Sequence, residues 1–183
     1  MYYRLDCDLN LHAGNMRDED NFHETLMFGE PVDENDLALP WPFTLVSKAP
    51  DALVPSDYYS GSNLMRARLI EAIRSCGVDN IQLFKAKIVV EGTSRILTDY
   101  FVVNIVGVVA IANLAASRSR QVADTLFFET LEVDSRKARG LKMFRLAEAR
   151  ADVIVNDEVA KRIKEGNFVD VTLEPLKDVS DTE

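Results

Sequence analysis

Apolar and polar residues alternate over residues 1–11. Tyr3, Leu5, Cys7, Leu9 and Leu11 are set against Arg4, Asp6, Asp8 and Asn10, a period of two that predicts a short strand. From Ala13 to Ser62 the periodicity is lost. Pro31, Pro40, Pro42, Pro50 and Pro55, five of the six prolines, fall here and predict extended loops and turns. Large apolar residues still punctuate the segment: Phe22, Met27, Phe28, Trp41, Phe43, Tyr58 and Tyr59. The expectation is an ordered arm laid over a body, with a short strand at Phe43–Val46. An irregular stretch of this length is uncommon in a compact domain and suggests function or mobility.

The body opens on a helix. Ser62 or Asn63 is a suitable N-cap, Leu64, Ala67, Leu69, Ile70 and Ile73 form an apolar stripe, and Gly77 supplies a left-handed stop. Ile81 to Val90 reads as a strand closed by the Glu91-Gly92-Thr93 turn. Residues 99–117, DYFVVNIVGVVAIANLAAS, are almost uncharged and rich in Val and Ile. They predict central strands over Tyr100–Val109 and Val109–Leu114, with Gly107 permitting a bend. Further strands are expected at Thr125–Val133, Met143–Leu146, Val153–Val155 and Phe168–Leu173. Asn156 or Asp157 caps a second helix, Glu158–Lys164, that stops at Gly166. Leu69–Ala86 and Val159–Pro175 echo one another as helix, glycine, loop and alternating strand. The fold class is therefore α+β: a mainly antiparallel sheet, two helices and a long irregular N-terminal arm. One domain is expected over residues 1–183, with an acidic, Pro-rich arm at 1–60, a body at 61–176 and a frayed acidic tail at 177–183.

Charge sharpens this division. The chain carries a net charge of −9, and residues 1–57 hold 12 acids against 3 bases, while the remainder holds 18 of each. The whole excess lies in the first third. Such a surface disfavours nucleic acid and anionic membranes, both polyanions, and favours a basic partner. The longest apolar run, Tyr100 to Ala116, is shorter than the ~20 residues of a spanning helix, and no secretory signal pattern opens the chain. A cytoplasmic location is expected. Cys7 and Cys76 fit no metal or redox spacing and read as reduced thiols.

No catalytic constellation emerges. The two histidines, His12 and His23, lie in the arm, and His23-Glu24 near Asp18–Asp20 matches no metal-ligand pattern. Asp33-Glu34-Asn35-Asp36 lacks the glycine and bidentate glutamate of a calcium loop. Ser60-Gly61-Ser62 has neither the strand nor the upstream glycine of a nucleophile elbow, and the glycines are too dispersed for a phosphate loop. The basic cluster Arg136–Lys142 lacks interleaved aromatics and reads as a turn between strands.

Several phrases resemble a bacterial immunity-protein family of polymorphic toxin systems, the one numbered eleven and first catalogued as a domain of unknown function. They are the Gly29-Glu30-Pro31 turn, Leu64–Ala86, Tyr100-Phe101-Val102-Val103-Asn104, Met143–Leu146 and Val153–Pro175. The resemblance implies a small intracellular protein that protects its producer by binding a cognate toxin domain, with no cofactor and no catalytic residues. Combined with the charge, it suggests a toxin with a basic surface, met by the arm. Asp18, Glu19, Asp20, Glu30, Asp33, Glu34 and Asp36 would supply the field, and Trp41, Phe43, Tyr58 and Tyr59 the apolar anchors. Two alternatives stay open. One is a ligand-binding or enzymatic domain with a pocket between arm and sheet, around Asn104, Arg145 and Asp99. The other is an oligomeric scaffold such as a homodimer.

Overall fold

The computed structural model describes residues 1–8, 14–18, 26–123 and 125–179. Its strands, in chain order, are β1 (Tyr2–Cys7), β2 (Asn15–Asp18), β3 (Trp41–Val46), β4 (Tyr58–Tyr59), β5 (Leu64–Arg66), β6 (Ile81–Val90), β7 (Ile96–Leu97) and β8 (Tyr100–Ile105). They continue as β9 (Val108–Val109), β10 (Arg118–Val122), β11 (Thr125–Thr130), β12 (Glu132–Val133), β13 (Met143–Leu146), β14 (Ala149–Asn156), β15 (Val171–Pro175) and β16 (Lys177–Asp178). Helix α1 spans Ala67–Ser75 and α2 spans Asp157–Glu165. The architecture is α+β with mostly antiparallel pairing, as the sequence predicts.

Two sheets carry the fold. The first has the order β15-β1-β14-β13-β9; the second runs β2-β3-β6-β8-β5-β4, with β7 also paired to β6. Within the second sheet, β5, α1 and β6 form a unit whose two strands flank the antiparallel β8. Within the first, β14, α2 and β15 flank the antiparallel β1 in the same way. Each unit is preceded by a hairpin partner, β4 for β5 and β13 for β14. The echo between Leu69–Ala86 and Val159–Pro175 is thus a repeated arrangement. The inner strand of the first sheet, unlike that of the second, comes from the start of the chain.

The two helices and the facing sheet surfaces share one apolar layer. Leu69, Ile70 and Ile73 of α1 meet Val159, Ala160 and Ile163 of α2, with Leu5, Val103, Ile105, Val153 and Val155 around them. The outer face of the second sheet gathers Trp41, Phe43, Leu45, Phe84, Ile88, Tyr100 and Val102. The outer face of the first gathers Tyr2, Phe144, Leu146 and Ile154 with Phe128 and Val133. Alternation along β1, β8 and β14 divides their residues between the central layer and an outer cluster.

Several expectations change, the tail among them: Lys177–Asp178, expected to fray, pair in parallel with Glu132–Val133 as strand β16. Helix α1 begins at Ala67, because Leu64–Arg66 pairs with Val102, Phe101 and Tyr100 as strand β5. The apolar demand of the sheet takes the residues that a helical stripe would have claimed. The arm is less separate than its prolines suggest: β2, β3 and β4 are strands of the second sheet, and Pro42 lies just beyond the last residue paired with β2. Residues 118–122 form a strand in a hairpin with β11 that the polar sequence did not announce. Among the other expectations, β6 and β13 occupy the predicted residues. Asn156 caps α2, its side chain accepting from the Val159 N–H at 3.0 Å. The basic cluster falls at the turn between β12 and β13. Among the described residues no helix is long and apolar enough to cross a membrane.

Candidate functional site

Residues 26–40 form a strap across the outer face of the second sheet. Leu26 is buried, and Val32, Leu37 and Leu39 pack against the aromatic cluster beneath. The intervening acids point the other way: Glu30, Asp33, Glu34 and Asp36 are exposed. Asp33 fixes the local turn, its Oδ1 accepting from the Asn35 N–H at 2.9 Å and from Asn35 Nδ2 at 2.8 Å. None of the four carboxylates has a cation partner among the described residues.

Two strand side chains hold this strap in place. Gln82 of β6 and Asn104 of β8 are cross-strand partners, and Asn104 Nδ2 donates to Gln82 Oε1 at 2.9 Å. Asn104 Nδ2 also donates to the Glu30 carbonyl at 2.8 Å. Gln82 receives the Val32 N–H at 2.8 Å and donates back to the Val32 carbonyl at 3.0 Å. The Gly107 N–H donates to the Gly29 carbonyl at 2.9 Å. Backbone groups that a loop over an apolar face would leave unpaired are therefore satisfied by the sheet. Gly29 has φ +70°, and a Cβ there would lie 2.4 Å from Val108 Cγ2, so only glycine fits this approach. The result is a row of carboxylates presented on a fixed backbone.

The acids named from sequence are therefore divided. Glu30, Asp33, Glu34 and Asp36 share the strap; Asp18 ends β2, in register with Phe43; Glu19 and Asp20 lie outside the described residues, as do His12 and His23. The aromatic anchors require correction. Trp41, Phe43, Tyr58 and Tyr59 are 4%, 2%, 0% and 2% exposed and offer no surface to a partner. Trp41 and Phe43 lie beneath the strap, Tyr59 stands against Tyr100, and Tyr58 faces the central layer. Their aromatic bulk serves the core: alternation in β3 turns Trp41 and Phe43 to the same covered face, and both faces of β4 are covered, burying Tyr58 on one and Tyr59 on the other. Burial pushes the Tyr59 phenol up to about 12, and it raises Tyr58 and Tyr100 as well. An exposed aromatic that the sequence reading left out of the site is Phe28, 55% exposed, with the Arg150 guanidinium 5.2 Å from its ring. Its place immediately before Gly29-Glu30-Pro31 was the available signal.

The residues named for a ligand pocket are engaged separately. Asn104 is committed to the strap, and Asp99 accepts from Arg66 Nε at 2.6 Å. Arg145 is fully buried; its Nη1 donates to the Arg150 carbonyl at 2.9 Å, while Nε and Nη2 have no hydrogen-bond partner among the described residues. Desolvation lowers its affinity for a proton. Among the described residues no group of three or more His, Cys, Asp or Glu side chains could hold a metal ion.

No family model matches this sequence, and no curated protein matches it.

Proposed function

We propose that this chain is an immunity protein that binds and neutralises a cognate toxin domain acting in the cytoplasm, with the acidic strap as a contact surface. The observation that carries this reading is the strap itself: four exposed carboxylates, without a cation partner among the described residues, on a backbone clamped by Gln82 and Asn104. A clamped loop loses less conformational freedom on binding than a free one. Its charge favours a basic surface, the kind found on proteins that act on nucleic acids or nucleotides, and steers the encounter. Phe28 would add an apolar contact beside the carboxylates, in place of the four buried aromatics. The Gly29-Glu30-Pro31 turn and the Tyr100–Asn104 strand, two of the five segments that resemble immunity family eleven, contribute Glu30 and Asn104 to this surface.

The test begins with the reading frame immediately upstream. Its C-terminal domain, expressed alone, is expected to arrest growth, and co-expression with this chain is expected to restore it. The purified pair should sediment as one complex. Growth arrest that persists under co-expression, with the two proteins sedimenting apart, contradicts the proposal.

A further inference from the structure

The stretch that carries β9 lines a groove on the far side of Gly107. The groove has two adjoining hollows, of about 450 Å³ and about 640 Å³, that meet at Lys137. Residues 108–110 line the first and residues 112–114 the second, so one extended piece of chain forms a continuous wall. The opposite wall is the turn between β12 and β13, with Leu141 and Ala138 beside the first hollow.

Three properties of this groove point to the same kind of occupant. Its long wall is an open sheet edge. β9 is the last strand of the first sheet and pairs in parallel with β13 through Gly107 and Val109: the Arg145 N–H donates to the Gly107 carbonyl and the Ala147 N–H to the Val109 carbonyl. The N–H and C=O groups of Val108 and Ala110 point away from β13 and have no partner among the described residues. The first hollow is apolar, with Val109, Ala110 and Leu141, whereas the second sets Ala112, Leu114 and Val179 beside Asn113 and the Asp134–Arg136 pair. The rim is cationic: Arg136 is paired with Asp134, at 2.9 Å from Nε to Oδ1, but Lys137 and Arg139 are exposed and have no ion pair among the described residues.

We propose that this groove binds an extended acidic segment of a partner protein, which adds to β9 as a further strand. Open backbone groups are matched by the backbone of a peptide, alternate apolar side chains fit the walls, and carboxylates meet Lys137 and Arg139. A nucleic acid strand could satisfy the cations but not the edge, and among the described residues no aromatic ring lines the groove for bases to stack on. A second copy's strap is a poor occupant, because its Glu30 carbonyl and both Val32 backbone groups are already bonded to Asn104 and Gln82. The proposal is independent of toxin capture by the strap.

The probe is a fluorescein-labelled heptapeptide alternating valine and glutamate, added to the full chain. Its comparators are the same peptide with lysine for glutamate, forms N-methylated at either set of alternate residues, and an oligothymidylate of equal charge. The acidic peptide is expected to bind at least about tenfold more tightly than the lysine form. One of the N-methylated forms should lose binding, and amide exchange at Val108 and Ala110 should slow on binding. Lys137→Gln with Arg139→Asn should weaken binding by about tenfold with an unchanged thermal midpoint, asparagine being tolerated at the left-handed position 139. The proposal is overturned if the acidic peptide fails to bind at millimolar concentration. It is equally overturned if both N-methylated forms bind as well as the parent, if the two amides stay unprotected, or if only the oligonucleotide binds.

Discussion

A chain lacking residues 1–7 is expected to show no cooperative unfolding transition, whereas a circular permutant that returns those residues at the other end is expected to fold. β1 lies between β14 and β15, in register from Tyr2 to Leu5 with the first and from Tyr3 to Cys7 with the second. Its removal opens two inner edges at once and withdraws Tyr2, Tyr3 and Leu5 from the core. At roughly 1.5–3 kcal/mol for each large apolar side chain, the loss in burial alone rivals the ~5–15 kcal/mol that holds a domain together. The permutant relies on the repeated arrangement. In the second sheet, β6 leads along the chain through the two-residue β7 to β8; in the first, β15 ends beside the beginning of β1, with Pro175 opposite Tyr3 and the Leu176 N–H donating to the Tyr2 carbonyl at 3.0 Å. Joining the C-terminus to Met1 by a short flexible linker, with new ends within residues 9–13, gives β15 and β1 the connection that β6 and β8 already have. Urea melts followed by circular dichroism read both forms. A truncated chain that still unfolds cooperatively, or a permutant that does not, contradicts this account of the fold.

Asp57→Ala is expected to cost about 3 kcal/mol, near the lower end of what breaking a buried charge pair removes. The Asp57 side chain is 0% exposed. Its Oδ1 accepts from Arg68 Nε at 2.7 Å, and its Oδ2 from Arg68 Nη2 and from the Val169 N–H, the latter at 2.7 Å. Its backbone adds two more bonds: its N–H donates to the Val169 carbonyl at 3.0 Å, and its carbonyl accepts the Arg66 N–H at 2.9 Å. One residue thus ties the β4–β5–α1 unit to the turn that joins α2 to β15. Arg68 is 44% exposed and rehydrates when its partner is lost, which keeps the cost from reaching the upper limit. The Val169 N–H, aimed at an interior position, then lacks its short bond. Asp57→Asn preserves an acceptor and should lose about half as much. A change below about 1 kcal/mol for Asp57→Ala, read from the urea midpoint at unchanged slope, contradicts this role.

Where neighbouring residues decide the structure, the sequence was readable. β6 and β13 have apolar runs bounded by turn residues, and α2 has its Asn156 cap and its Val159–Ala160–Ile163 stripe. Distant partners decided the rest. Leu64 looks helical from its spacing and joins a strand only because β8 lies alongside. Arg118–Val122 is exposed at every position, so no burial pattern marks it. The candidate site divides along the same line. The acids of the strap were legible from charge, but the clamp was not, since Gln82 and Asn104 meet only through cross-strand register. Trp41, Phe43, Tyr58 and Tyr59 looked like anchors because nothing in an aperiodic segment says which side chains turn inward. The uncharged run over residues 99–117 proves to have two parts. β8 is buried, and the Val108–Leu114 portion is a groove wall with an open edge.

If the clamped carboxylates draw in a basic toxin surface, association must depend on their charge. The direct test is stopped-flow association of the upstream-encoded toxin domain across a range of ionic strength. The wild type is compared with a chain carrying Glu30→Gln, Asp33→Asn, Glu34→Gln and Asp36→Asn. The amide oxygen introduced by Asp33→Asn keeps an acceptor for the Asn35 N–H, so the turn is retained. The wild type should associate quickly at low salt and slow steeply as the Debye length falls to ~8 Å at physiological ionic strength. The four-fold variant should associate about tenfold more slowly at low salt, with a visibly flatter salt dependence. Equal on-rates and equal salt slopes for the two proteins would contradict the claim.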